Sequence, residues 1–173
     1  MKREWAIIPA VVGTAFGVRA LIWLGSPTYW EPATLLDWLA VATWSLALLS
    51  LVPGTWLLVA IVGPVRSVVV TGSLVVTMAL TAAFANLLED GLGIELFGGL
   101  YVLSILGLAF SLAIFSVALA LARQLWLSLI PLLTVTGLLA TEIGGLFVVA
   151  ATWLAFAWTM RRQPEPTNGH PPG

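Results

Sequence analysis

Arg19 is the residue in this chain best placed to do chemistry, because it is a lone cation inside the apolar run 5–24. It precedes Gly25 by about six residues, which on a helix puts it ~9 Å beneath the end of the run. A charge at that depth needs a counter-charge, an aromatic face or a route back to water. Asp37, Glu95 and Glu142 each fall near the end of a neighbouring apolar run. Pairing Arg19 with one of them would build a gate or an anion site, so Arg19, Glu142 and Asp37 form the candidate intramembrane polar set. The competing reading is an arginine that snorkels along its own helix. Helical phase puts Ile8, Val12, Phe16, Arg19 and Trp23 on one face, with Trp23 at i+4 for a cation–π contact, which favours snorkelling.

Other candidate chemistry is sparse. Glu89, Asp90 and Glu95 fall within seven residues, and hard cations are held by such oxygens. The EF-hand spacing is missing, however, and a solvated loop is the simpler reading. There is no cysteine; the single histidine, His170, lies in a Pro-rich tail; and Lys2 is the only lysine. Thiolate, imidazole, haem, zinc and Schiff-base schemes therefore have no candidate within the apolar runs. No paired carboxylates, Gly-x-Ser-x-Gly elbow, HExxH or phosphate loop occurs either. The expectation is a protein that is not an enzyme, with no catalytic residue, metal ligand or cofactor. A net charge of −1 without a basic patch also argues against nucleic acid as a partner. Thr71, Thr77, Thr134 and Thr136 are expected to bond carbonyls of their own helices.

The elements that carry these residues follow from composition. The chain is 60% hydrophobic and 9% charged, against ~25% charged in ordinary soluble domains, so lipid is its solvent. Residues 124–160 contain one charge, Glu142, and as a single helix would reach ~55 Å, beyond a ~30 Å hydrocarbon core. The run must turn back, and Thr141-Glu142-Ile143-Gly144-Gly145 supplies the turn. The reading is an all-α integral membrane bundle of six transmembrane helices in three hairpins. Its spans are about 5–24, 38–62, 67–88, 96–122, 124–141 and 145–160. Residues 1–162 form the membrane domain and 163–173 a disordered cytoplasmic tail. A cleaved signal peptide over the first run is the alternative to a retained span. Pro53 should kink or break the second span.

Charge placement supports this layout. Lys2, Arg3, Arg66, Arg123, Arg161 and Arg162 fall on one side, and Glu31, Asp37, Glu89, Asp90, Glu95 and Glu142 on the other. The positive-inside rule then puts both termini in the cytoplasm and the chain in the cell membrane. Trp44, Trp56 and Trp153 fall deep in their spans and are expected between helices.

Two helices carry small residues on one face: Gly13, Gly17 and Ala20, with Ala6 and Ala10, in the first, and Ser104, Gly107 and Ser111 in the fourth. Such faces let backbones approach closely. They serve packing within one bundle or a seam to a second copy or a partner membrane protein.

The stretch 13–66, with Phe16-Gly17-Val18-Arg19-Ala20-Leu21 and then Trp38 and Trp44, resembles small polytopic membrane proteins of actinobacteria and their phages. The three-hairpin layout is also similar to bacterial stress-associated membrane proteins of the HdeD type. The resemblance implies a bacterial or phage multi-pass protein and supplies no site residue. Two functions stay open. One is a structural, accessory or interaction protein acting through helix packing, which the sequence favours. The other is a channel, small-solute transporter or holin-type pore.

Overall fold

The computed structural model describes residues 3–25, 32 and 34–162. Among them the chain forms six α-helices and no strand. A 3-10 turn, Arg3–Ala6, leads into α1 (Ile7–Gly25), where Pro9 occupies the first turn and removes no helix bond. The second helix, α2, spans Leu35–Val62 and runs through Pro53 unbroken. The third, α3 (Arg66–Asn86), continues as a π-helical turn, Leu87–Gly91. A 3-10 turn, Glu95–Phe97, then opens α4 (Gly98–Leu121). The last two helices are α5 (Leu125–Leu139) and α6 (Gly145–Arg162), joined through a 3-10 turn at Thr141–Ile143.

Four segments, Glu4–Gly25, Leu35–Val62, Arg66–Gly91 and Glu95–Leu121, are long and apolar enough to cross a membrane, and Leu125–Leu139 is a shorter apolar helix. The Pro-rich tail 163–173 and the loop residues 26–31, with Glu31 and Trp30, lie outside the described residues.

Each helix packs on its neighbour in sequence, and α1 closes the ring on α6. Phe16, Phe115, Phe156 and Trp153 are fully buried with Leu48, Leu51 and Leu108, so the middle of the ring is filled by side chains. Trp153 and Phe156 meet edge-to-face at 6.2 Å, and Trp126 meets Phe156 at 5.5 Å. Of the three tryptophans expected between helices, Trp44 and Trp153 are buried, but Trp56 is 44% exposed on the outer surface of the bundle. It lies three residues past Pro53, on the face of α2 that carries Leu46 and Leu49 outward.

Glycine sets two of the close approaches. Gly144 adopts φ 89°, the left-handed conformation that ends the 3-10 turn. Beside it Gly145 lies against the backbone of Gly137, which brings α5 and α6 into contact without an intervening side chain. Gly54 does the same for α2, where a Cβ would stand 2.9 Å from the Trp153 ring and 3.1 Å from Val12. Gly54 thus leaves the room in which Trp153 sits. The four threonines do bond back to their own helices: Thr71 to Ser67, Thr77 to Ser73, Thr134 to Ile130 and Thr136 to Leu132, at 2.7–3.0 Å.

Candidate functional site

Polar groups concentrate where α1, α2, the end of α3 and the start of α4 meet. Arg19 is 3% exposed, and its guanidinium lies 5.0 Å from the Trp23 ring and 5.7 Å from the Trp44 ring. The helical phase of α1 explains the placement, since Val12, Phe16 and Arg19 all face inward. Phe16 also meets Trp44 edge-to-face at 6.4 Å. Arg19 thus makes the i+4 contact with Trp23 that the snorkelling reading expects, but its guanidinium is buried near that ring and Trp44 and not at the surface. Two indoles are well matched to it, because a planar, weakly hydrated guanidinium stacks on rings better than an ammonium does.

Trp44 ties this group to the fourth helix. Its Nε1 donates to the Tyr101 hydroxyl at 2.7 Å. Next to Trp44 on α2, Asn86 of α3 is 1% exposed, and its Nδ2 donates to Val41 O at 3.2 Å and to Ser45 Oγ at 2.9 Å. Ser45 in turn donates to Ala83 O at 3.3 Å. Both amide hydrogens are used, which fixes the amide orientation and leaves Oδ1 as a buried acceptor without a donor among the described residues.

Immediately after Asn86 the helix widens into the π turn that carries Glu89 and Asp90, both partly buried. This corrects the expectation of a solvated acidic loop. The π turn packs on the start of α2, where a Cβ on Gly91 would stand 3.9 Å from Val41 and 4.0 Å from Trp38. The Glu89 carboxylate lies against Gly98, the first residue of α4, where the helix dipole favours an anion and a side chain would collide with it. Arg19 lies close enough to act electrostatically on Asp90. A π turn at the end of an α-helix is a common device at functional positions, because it re-aims side chains without ending the helix.

The carboxylates expected around Arg19 have other places. Asp37 closes a capping box with Thr34: Thr34 N donates to Asp37 Oδ2 at 2.9 Å, and Asp37 N donates to Thr34 Oγ1 at 3.3 Å. Glu95 is exposed on the 3-10 turn before α4. Glu142 is exposed on the tip between α5 and α6, in a groove of about 370 Å³ whose lining includes Trp23 but not Arg19. Among the described residues the carboxylate on which Arg19 bears electrostatically is Asp90, which the sequence places in a loop, and Asn86 is not among the residues the sequence singles out. The signal for Asn86 was available, since it continues the Val68, Gly72, Val75, Ala79, Ala82 stripe of α3 and is the one asparagine before the tail.

The small-residue faces are covered within the chain. A Cβ on Gly13 would meet Leu154 and Ala150 of α6, one on Gly17 would meet Ala150, and one on Gly107 would meet Met78 of α3. Ala20, Ser104 and Ser111 are buried, and Ser104 donates to Tyr101 O at 2.8 Å. Among the described residues no group of His, Cys, Asp and Glu is arranged to hold a metal ion. No protein-family model, curated protein or solved structure matches this chain.

Proposed function

We propose that this chain is a multi-pass protein of the cell membrane in which all six helices cross and both termini are cytoplasmic. We further propose that it acts as an accessory or interaction protein through its helix surfaces, without catalysis or a cofactor. The observation that supports this reading is the filled centre of the bundle, where Trp153, Phe16, Phe115 and Phe156 are all buried side by side with the aliphatic core. The short connections and alternating direction of the helices also support it. They gather Arg66, Arg123, Arg161 and Arg162 at one end and the acidic turns at the other, the separation that the positive-inside rule rewards.

Because α6 and α3 occupy the glycine faces, a partner would meet the outer ridges instead. Leu103, Leu106, Phe110 and Val117 of α4 are 57–69% exposed and form such a ridge. In lipid a ridge of this kind attracts a partner by packing and not by hydrophobic exclusion. Recovery of a membrane partner that is lost on replacing Leu106 and Phe110 by alanine, and kept in Gly107→Ala, would support the reading.

One observation favours a channel, transporter or pore: a buried arginine whose charge bears on a partly buried carboxylate, Asp90, toward the acidic end of the bundle. Purified protein in liposomes is expected to pass no small solutes or ions. Flux that disappears in Asp90→Asn would instead establish the transport reading.

A further inference from the structure

The groove beside Glu142 adjoins the Arg19 centre through Trp23 and is built from α1, the 3-10 turn at Thr141–Ile143 and the start of α6. Gly13 lies beside Leu154 and Ala150, and Gly17 beside Ala150, so α1 and α6 run antiparallel. That register brings the last turn of α1 level with the tip between α5 and α6. The resulting groove of about 370 Å³ has Leu24, Leu146 and Phe147 among its apolar walls and Trp23, Thr141 and Glu142 as its polar or amphipathic groups. Its volume falls in the ~300–1,000 Å³ range of ligand-sized sites.

We infer that this groove seats a phospholipid of the outer leaflet with a primary-ammonium headgroup, the ammonium on Glu142 and the upper acyl chain against Phe147 and Leu24. The inference rests on the reading that α1, α5 and α6 cross the membrane, which sets the groove at the headgroup boundary.

Charge complementarity selects the occupant. Among the described residues that line the groove Glu142 is the one that carries a charge, so an anionic lipid is disfavoured there. The Thr141 hydroxyl gives its proton to Leu138 O at 2.7 Å, so toward the groove it can act only as an acceptor. Trp23 already stacks on Arg19 at 5.0 Å, which reduces what its ring offers to a second cation. A carboxylate and a hydroxyl acceptor call for N–H donors. A primary ammonium has three and a quaternary ammonium has none, so hydrogen bonding discriminates where charge alone does not.

The test uses the full chain in detergent, titrated with phosphatidylethanolamine, phosphatidylcholine and phosphatidylglycerol and read by native mass spectrometry. Wild type should retain the ethanolamine lipid about tenfold better than the choline lipid, the scale of one charge-assisted hydrogen bond. Glu142→Gln should lose that preference while keeping its helical signal, since Glu142 is exposed. Equal retention of all three lipids, a preference for the glycerol lipid, or an unchanged preference in Glu142→Gln would each overturn the inference. Ile143→Cys separates this outcome from failure of the underlying reading. Labelling of that site from outside intact cells, with no lipid preference in the purified protein, removes the inference alone. Labelling only after permeabilisation removes the outer placement of this tip, on which the inference rests.

Discussion

Adding a single methyl group at Gly13 should cost far more than adding the same group one turn later at Gly17. A Cβ on Gly13 would lie 2.7 Å from Leu154 Cγ, 2.9 Å from Ala150 O and 2.9 Å from Leu154 N. Two of those three atoms belong to the α6 backbone and cannot rotate away, so the α1–α6 pair must separate by several tenths of an ångström. At Gly17 the nearest atom to a new Cβ is Ala150 Cβ at 3.7 Å, an ordinary contact. Overpacking a fitted interface costs about 1–3 kcal/mol, which is the expectation for Gly13→Ala. Gly17→Ala should stay within about 0.5 kcal/mol of wild type. The measurement is unfolding in mixed micelles of mild detergent and dodecyl sulfate, followed by near-ultraviolet ellipticity of the tryptophans. Equal costs at the two positions, or no cost at either, would refute the packing of α1 on α6 described above.

Arg19→Lys keeps the charge but loses the planar stack on Trp23 and Trp44, and should destabilise by about 1 kcal/mol in the same assay; a freely snorkelling side chain would tolerate it. Arg19→Met and Asp90→Asn should be non-additive by about 0.5–3 kcal/mol in a double-mutant cycle, whereas Arg19→Met with Glu142→Gln should be additive. Asn86→Ala should cost about 1 kcal/mol, and combining it with Ser45→Ala should cost less than the sum, because the two share a hydrogen bond of 2.9 Å.

The helices were legible because their ends are marked by residues with few other roles in lipid. Arg66, Arg123 and the Arg161-Arg162 pair sit at or next to helix ends, and Gly144 stands where the turn takes φ 89°. The polar centre was much less legible. Arg19 was visible as a charge in an apolar run, but its neighbour depended on the π turn, and a change from i+4 to i+5 bonding leaves no mark in hydrophobic periodicity. Periodicity places Glu89 and Asp90 after the end of a helix, where acidic residues beside glycine read as loop. Asn86 was overlooked for a different reason. Its amide adds little to an averaged hydropathy window, although one buried asparagine joins two helices through Val41 and Ser45. The small faces of α1 and α4 could be seen in the sequence, but not which helix would cover them; that depended on α1 meeting α6, the helix farthest from it along the chain.

Cysteine labelling in intact cells tests the six-crossing bundle most directly, since the natural chain has no cysteine to remove. Leu92, 68% exposed after the π turn, and Ile143, 87% exposed on the tip between α5 and α6, mark the acidic end; Val65 and Leu121, 40% and 79% exposed, mark the basic end. A membrane-impermeant maleimide should react with Leu92→Cys and Ile143→Cys from outside, and with Val65→Cys and Leu121→Cys only after permeabilisation. Labelling of Leu92→Cys but not Ile143→Cys from outside would mean that α5 and α6 do not cross, and would contradict the arrangement.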